Sequence, residues 1–316
     1  MADDPSEHAL PMLPVTGAQY AISAGDYQAA ITELGAGLRT LTLGGQPVVT
    51  GYGEDELPPA GAGQLLAPWP NRVDRGQYSF GGRSFQLDLT EPAVGNAIHG
   101  LTRWATWQIR THAADHVELG LRLLGRPGYP FCLELSASYR LSAQAGLEVT
   151  VTALNSGSAA APYGTGSHPY LLAGTGLVDD WTLQLPAARW QPADDRGIPA
   201  GPPQDVAGPP FDFRQRRAIG ATSLDHAFTA LDTAADGRAW ARLAGPAAQV
   251  ALWAGPGHRW LQVFTGDALG PDARRRAVAI EPMTCPPNAF VSGMDLLTIQ
   301  PGASVTHRWG LQATVH

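Results

Sequence analysis

The sequence predicts an all-β protein. Its 316 residues include 37 glycines and 27 prolines that follow no Gly-X-Y period, a composition typical of many strands joined by many turns. Apolar and polar residues alternate with period two over residues 117–123, 133–139 and 147–152, which indicates strands with one buried and one solvated face. Helical periodicity is scarce. Because all-β folds often run long as one unit, the length favours a single domain.

Glycine-containing dipeptides between short apolar runs predict three β-hairpins. The dipeptides are Gly25-Asp26, Gly44-Gly45 and Gly81-Gly82, and glycine tolerates the positive φ that tight hairpin turns need. Residues 192–210 are instead rich in proline and glycine and predict a long irregular connection. Both a functional loop and an ordered surface crossover fit that composition.

The amino terminus is predicted to be flexible over residues 1–18, and one domain is predicted over residues 19–316. The first residues are acidic and polar, whereas a secretory signal begins with a basic and then an apolar segment. No stretch of ~18 apolar residues follows anywhere in the chain. We therefore expect a cytoplasmic protein that does not contact a membrane.

The charge balance argues against nucleic acid as a partner. The formal net charge is -7, from 21 basic and 28 acidic residues, so no basic face is large enough to neutralise a run of phosphates. The one basic cluster, at residues 274–276, follows a Gly-Pro-Asp turn sequence and indicates a solvated loop.

Several chemistries lose support because their residues are absent or wrongly spaced. Cys132 and Cys285 form no Cys-x-x-Cys pair, so reduced thiols are expected and no zinc site is indicated. The run 164–166 lacks the third glycine of a dinucleotide fingerprint. The chain also lacks the Gly-x-Ser-x-Gly and P-loop patterns of hydrolases and NTPases, and no His-x-x-x-His pair offers two metal ligands on one helical face, as a metalloprotease requires.

Three titratable side chains stand at the mouths of short apolar, strand-like runs: His99, His168 and Glu281. A proline follows Glu281, and because proline cannot donate to a strand ladder, the strand is predicted to end there. Partial desolvation would raise the pKa of Glu281 toward the range of a general base, and an imidazole titrates near neutrality. An acid and a base are thus both available. A buried ion pair for Glu281 and a structural role for either histidine are the alternatives.

Eight short motifs follow one another along the chain: WPNRV (69–73), GQYSFGG (76–82), IHG (98–100), HPY (168–170), LDHAF (224–228), QVFTGD (262–267), IEPMT (280–284) and PPNAF (286–290). Taken together, they closely resemble the aldose 1-epimerases, the galactose mutarotase-like family. They follow the family's order, and the resemblance runs from about residue 20 to the carboxyl end. Several motifs in the right order are far more specific than any one alone.

The resemblance implies a large antiparallel β-sandwich, the galactose mutarotase-like supersandwich, whose concave face holds a monosaccharide. In that family a glutamate removes the proton from the anomeric hydroxyl while a histidine protonates the ring oxygen, so the hemiacetal opens and can close on the other face. The matching positions here are Glu281 as the base and His168 as the acid. Both groups need intermediate proton affinities, because their roles reverse on ring closure. The chemistry requires no metal, cofactor or covalent intermediate.

Further polar residues fall at positions that the resemblance assigns to sugar binding: Arg72, His99, Asp225 and Asn71. Cationic groups near the ring oxygen stabilise developing negative charge, and charged groups bind sugar hydroxyls strongly. Each residue also has a structural alternative. Arg72 could pair with Asp74 or another carboxylate, Asp225 could cap a turn, and Asn71 could bond to the backbone.

The choice of sugar is left open. After His168 the chain continues Pro169-Tyr170-Leu171, whereas many galactose mutarotases have serine or threonine at the first of these positions, and this places the chain nearer a bacterial subgroup with the His-Pro-Tyr signature. That subgroup includes mutarotases of sulfoquinovose. A hexose 6-phosphate would need basic side chains around C6, for which the candidates are Arg103, Arg214, Arg216 and Arg217. A monomer and a homodimer fit the sequence equally.

Two other classes of protein remain as alternatives. A non-catalytic carbohydrate-binding β-sandwich would share the aromatic residues but would have little use for an acid and a base together. A glycoside hydrolase needs two carboxylic acids flanking the bond, and here Glu281 has the stronger context and Asp225 the weaker.

Overall fold

The computed structural model describes residues 12–316, and nearly all of their regular structure is β. Its strands are, in chain order, β1 Gln19–Ala24, β2 Tyr27–Thr32, β3 Leu38–Leu43, β4 Gln46–Pro47, β5 Leu65–Leu66, β6 Arg72–Asp74, β7 Gln77–Phe80, β8 Arg83–Gln86, β9 Asn96–Ile98, β10 Gln108–His112, β11 His116–Leu123, β12 Leu133–Ser142, β13 Gly146–Asn155, β14 Ala161–Tyr163, β15 Gly166–Ser167, β16 Tyr170–Leu171, β17 Thr182–Gln184, β18 Ala187–Gln191, β19 Gln204–Asp205, β20 Arg217–Ala218, β21 Asp225–Leu231, β22 Ala239–Ala244, β23 Ala248–Ala254, β24 Trp260–Phe264, β25 Val278–Met283, β26 Leu297–Ile299 and β27 Ser304–Val315. The helical segments are two 3-10 turns, Pro59–Gly61 and Val178–Asp180, and one short α-helix, α1 Ala289–Ser292. No helix among residues 12–316 is long and apolar enough to cross a membrane.

Two large sheets form the body of the protein. One has nine strands in the order β10-β11-β12-β13-β27-β23-β22-β17-β20, and the other runs β19-β18-β21-β24-β25-β15-β5, with β16 as an additional partner of β25. The pairings within both sheets are antiparallel. Smaller sheets, β1-β2-β3-β4, β14-β26, β6-β9 and β7-β8, complete the fold.

The sheets bury one face each in a common core. Along β12 and β13 buried residues alternate with partly exposed ones, as the period-two pattern predicted. Leu135 and Val149 from the nine-stranded sheet join Leu261 and Ile280 from the other sheet in one hydrophobic cluster. Each such fully buried side chain stabilises the fold by about 1.5–3 kcal/mol. The architecture is an antiparallel β-sandwich.

The three predicted hairpins are confirmed. β1 pairs with β2 across Gly25-Asp26, β3 with β4 across Gly44-Gly45, and β7 with β8 across Gly81-Gly82. Residues 192–210 form the predicted irregular connection, in which the strand β19 is the regular element. Both cysteines are free thiols.

The predicted solvated loop at residues 274–276 is wrong for its central residue. Arg275 is 8% exposed, and its guanidinium pairs with Asp179 at 2.9 Å and with Asp267 at 2.7 Å. It also donates to the carbonyl oxygens of Thr222 and Gly220. A run of three arginines does not show which of them pairs with carboxylates from other parts of the chain.

The amino-terminal prediction falls partly outside the described residues, because residues 1–11 are not described. Of the remainder, Thr16 is fully buried, and its amide and hydroxyl both donate to the carbonyl oxygen of Glu54.

Candidate active site

A cavity of about 430 Å³ opens over the centre of the eight-stranded sheet, a volume typical of small-molecule sites. Strands β24 and β25 form its floor, and residues that flank β6, β9, β15 and β21 form its walls. The structure brings all of the predicted site residues to this cavity: Glu281, His168, Arg72, His99, Asp225 and Asn71. No group of three or more His, Cys, Asp or Glu side chains in residues 12–316 is arranged to hold a metal ion.

Glu281 lies in the middle of the floor and is only 2% exposed. The prediction that its strand ends there is wrong, because β25 continues through Pro282 to Met283, with Glu281 opposite Gln262 of β24. On its other side β25 meets β15 and β16, which are interrupted between Ser167 and Tyr170. That break leaves room beside Glu281 for the side chain of the intervening histidine.

His168 occupies the break, directly after β15 as predicted. Its Nε2 lies 3.4 Å from Oε1 of Glu281, and its ring stacks on Tyr170 with the centroids 4.9 Å apart. The backbone is fixed on both sides, because His168 N donates to Gln64 O and His168 O accepts from Gly63 N. The imidazole is therefore held in place against the carboxyl group.

Burial shifts the proton affinities of this pair in opposite directions. Burial raises the pKa of Glu281 well above 4.5; the charge of Asp225 adds to that shift and Arg72 opposes it. Burial lowers the pKa of His168 to about 4, and the positive charge of Arg103 adds to that shift. Burial therefore favours the neutral form of both groups, a protonated carboxyl on Glu281 and an uncharged imidazole on His168.

Three buried polar atoms of this cavity have no hydrogen-bond partner within the described protein: Glu281 Oε2, His168 Nδ1 and Gln262 Oε1. Buried polar groups are nearly always paired, so a set of unpaired ones on a cavity wall indicates that a polar ligand meets them.

His99 is a neutral hydrogen-bond donor. It follows β9, as predicted, and its Nδ1 accepts from the backbone amide of Asn71 at 3.2 Å. Burial lowers the pKa of His99 well below 6.5, and the nearby His168, Arg103 and Arg72 lower it further. With Nδ1 acting as acceptor, the ring proton is on Nε2.

Asn71 itself has a positive φ of 54°, and its Oδ1 accepts from the amide of Arg72. The side chain thus bonds to the backbone, the alternative considered for it, while also lining the cavity.

Arg72 is paired, but not with Asp74. Its Nε and Nη2 donate to the two carboxylate oxygens of Glu91 at 2.8 and 2.9 Å, a bidentate arrangement that fixes the guanidinium. Asp74 instead pairs with Arg196 at 2.7 Å. Gly197, beside it in the 192–210 loop, packs so closely that a Cβ there would lie 2.4 Å from Arg72 Nη1. The 192–210 loop therefore packs against Arg72 and limits the positions that its guanidinium can take.

Asp225 begins β21, and its Oδ1 accepts from Gln262 Nε2 at 2.7 Å. Sequence reasoning missed Gln262 as a site residue, although it belongs to one of the recognised motifs. Its position directly opposite Glu281 on the neighbouring strand would have identified it, but strand register cannot be read from one sequence.

Of the four arginines considered for a phosphate, only Arg103 lines the cavity. Arg214 pairs with Asp212 beside a separate cavity of about 390 Å³, and Arg216 donates to Gln249. Arg217 belongs to β20, at the edge of the nine-stranded sheet. The four do not converge.

The structure is an antiparallel β-sandwich whose cavity holds a buried carboxyl–imidazole pair, the groups that acid–base chemistry uses. The chain belongs to the aldose 1-epimerase family, whose sequence profile matches residues 18–312. It is 38% identical over 289 residues to the uncharacterized protein YihR of Escherichia coli K12, covering 91% of this chain and 90% of that protein. It is also 28% identical over 194 residues to the aldose 1-epimerase of the same organism, covering 56% of this chain and 54% of that protein.

Solved structures share the fold. A GalM/aldose epimerase homologue from Caenorhabditis elegans superposes with a TM-score of 0.84 at 18% identity, covering 94% of this chain and 99% of that one. The galactose 1-epimerase from Lactobacillus acidophilus NCFM gives 0.79 at 22% identity, covering 93% and 92%. The predicted galactose mutarotase-like β-sandwich is thereby confirmed.

Proposed function

We propose that this protein is a mutarotase that interconverts the α and β anomers of an aldose, with Glu281 as general base and His168 as general acid. The observation that carries the proposal is the buried pair, Oε1 to Nε2 at 3.4 Å, in the floor of a cavity of monosaccharide size. A binding module would gain nothing from two buried titratable groups, whose desolvation is costly.

The reaction needs a carboxylate and an imidazolium at the moment of ring opening. A proton shift from Glu281 to His168, between atoms 3.4 Å apart, produces both. Glu281 then takes the proton of the O1 hydroxyl, the C1–O5 bond breaks as the C1 carbonyl forms, and His168 gives its proton to O5. Rotation about C1–C2 presents the other carbonyl face. Closure reverses each proton transfer and leaves the pair as it began.

The remaining polar groups orient the sugar and stabilise charge. His99 offers its Nε2 proton, and Arg72 has Nη1 outside its bonds to Glu91, so both can donate to sugar oxygens. Asp225 and Gln262, bonded to each other, offer acceptors for hydroxyl groups. Fixed donors and acceptors of this kind act without reorganisation when charge develops.

The test is anomer exchange by NMR on glucose, galactose and sulfoquinovose. Wild-type protein should accelerate exchange with at least one of them, whereas Glu281→Gln and His168→Ala should each lose about 100-fold or more in rate, the usual scale of general acid–base catalysis. His316→Ala, an exposed histidine at the carboxyl terminus, is the control. Thermal unfolding should show that all variants fold.

The outcomes separate the alternatives. Sugar binding without acceleration, unaffected by Glu281→Gln, would establish the binding module instead. Release of nitrophenol from a nitrophenyl glycoside would favour the hydrolase, for which Asp225 would be the second carboxyl group. A Glu281 or His168 variant that keeps near-normal turnover would remove that residue from the mechanism.

A further inference from the structure

The cavity contains a positive charge that the protein does not neutralise. Arg103 is half-buried on the cavity wall, and among the described residues its guanidinium makes no ion pair and donates no hydrogen bond. It lies 5.2 Å from the ring centroid of Trp104, which is 48% exposed. Burial lowers the pKa of Arg103, as expected when a cation leaves water without a full counter-charge.

The carboxyl groups of the site either bond to other side chains or are favoured in the neutral form. The negative charge of Glu91 partly offsets the lowered pKa of Arg103, but both carboxylate oxygens of Glu91 already accept hydrogen bonds from Arg72. Asp225 accepts from Gln262, and burial favours the neutral form of Glu281. Arg72 thus has a bidentate partner, whereas Arg103 in the same cavity has no ion-pair partner among the described residues.

The backbone that carries Arg103 is held rigidly. Its carbonyl oxygen accepts from Gln64 Nε2, and Gly35 packs so closely that a Cβ there would lie 2.5 Å from the same oxygen. Gly35 also has a φ of +72°, which other residues adopt only with strain. The side chain of Arg103 therefore extends from a fixed backbone at the cavity wall.

We propose that Arg103 determines specificity by binding an anionic substituent on the sugar, such as a sulfonate or a carboxylate. This inference rests on the proposed mutarotase function. A guanidinium presents its donors in a fork that matches such groups, and the bonds are strong because both partners are charged. One cation among several acidic residues suits a singly charged substituent better than a phosphate dianion. A neutral sugar would leave the charge of Arg103 without a partner.

The experiment compares anomer exchange for neutral and anionic sugars. The neutral sugars are glucose and galactose, and the anionic ones are glucuronate, sulfoquinovose and glucose 6-phosphate. The proteins are wild type, Arg103→Gln and Arg103→Lys. Arg242→Gln is the matched control, because Arg242 also lies over a tryptophan ring, 5.5 Å from the centroid of Trp240, but outside this cavity.

Wild type should prefer glucuronate or sulfoquinovose to the neutral sugars in kcat/KM and should accept the phosphate less well. In Arg103→Gln the anionic-to-neutral ratio should fall about tenfold or more, chiefly through KM, and Arg103→Lys should restore part of it. Arg242→Gln should keep the wild-type ratio. Equal losses on both classes of sugar, or no preference in wild type, would overturn the proposal.

Failure of the mutarotase function would be distinguishable. If wild type accelerates exchange of no sugar, titration by calorimetry still compares the binding of glucuronate with that of glucose. Binding of the anion that is lost in Arg103→Gln would support the role of Arg103 without catalysis. Equal binding by wild type and Arg103→Gln would overturn it.

Discussion

At the scale of single residues, the Glu281 and His168 side chains work as one titrating unit. They lie 3.4 Å apart and both are buried, so a proton leaving one is taken up most readily by the other. The active form is the one with a single acidic proton, whichever atom carries it at a given moment.

The pH profile of kcat/KM should show this. The pair gains a second proton when His168 titrates at about pH 4, which removes the base, and loses its proton when Glu281 ionises, well above pH 4.5, which removes the acid. Activity should therefore persist below pH 6, with an acid limb near pH 4. An acid limb at pH 6.5, the ordinary value for histidine, would contradict this assignment.

At the scale of elements, the site depends on loops that never touch the reacting atoms. The 192–210 connection contacts Arg72 through Gly197 and Asp74 through Arg196. Elsewhere on the cavity wall, Arg275 anchors the loop that carries Leu269 to the cavity. Each loop can be tested by one substitution, with the same substitution at a nearby residue of the same type as the control.

Gly197→Ala should reduce kcat/KM about tenfold or more. The new Cβ would lie 2.4 Å from Arg72 Nη1, and the guanidinium cannot yield without loosening its bonds to Glu91. Gly201→Ala is the control, because Gly201 also has a positive φ, +89° against +72°, but nothing lies within 4 Å of its Cβ position. Steady-state exchange rates should show lost activity only in Gly197→Ala, and unfolding temperatures should show that both variants fold. Equal activities would show that this contact does not hold Arg72.

Arg275→Met should destabilise the protein by about 3 kcal/mol, because it leaves two carboxylates without their cation. Asp267 also accepts from Thr265 Oγ1, which in turn accepts from the amide of Leu224, the residue before Asp225. We therefore expect KM to rise more than kcat falls.

Arg274→Met is the control for that variant, since Arg274 is the exposed neighbour. Urea unfolding and exchange kinetics on both variants decide the matter. A similar stability loss in the two, or an unchanged KM in Arg275→Met, would show that Arg275 does not position the site.

At the scale of the whole molecule, buried histidines make the fold sensitive to acid. Burial lowers the pKa of His168 to about 4, and burial together with His307 lowers that of His258 to about 3. The pKa of His99 is also lowered well below 6.5. The unfolded chain binds these protons from about pH 6.5 downward, but the folded chain does not, so stability is lost as the pH falls through that window.

His258→Gln should reduce that loss. Each such histidine contributes a slope of about 1.4 kcal/mol per pH unit below 6.5, so the variant should lose about 2 kcal/mol less than wild type between pH 6.5 and pH 5. Urea unfolding at pH 7, 6 and 5 measures this, with His316→Gln as the control. Parallel pH dependences in His258→Gln and wild type would exclude His258 as a source of the acid sensitivity.

The sequence predicted most of what local pattern determines. Period-two alternation and glycine turns identified the strands and hairpins, and the motifs placed His99 and His168 directly after short strands. It could not show that the strand continues past Glu281, because whether a proline is tolerated depends on the neighbouring strand. Gln262 and Arg275 were missed because strand register and chain folding, which one sequence does not show, bring Gln262 opposite Glu281 and Arg275 to Asp179.

Glu281 has one neighbouring strand, β24, that is close in the chain and another, β15, that is more than 100 residues earlier. The proposed acid and base thus meet only after a long-range pairing has formed, the slow kind of event in folding. The recovery of anomer exchange would then report when this part of the sheet has assembled. During refolding, activity should return no sooner than the last strand of this ladder takes its place.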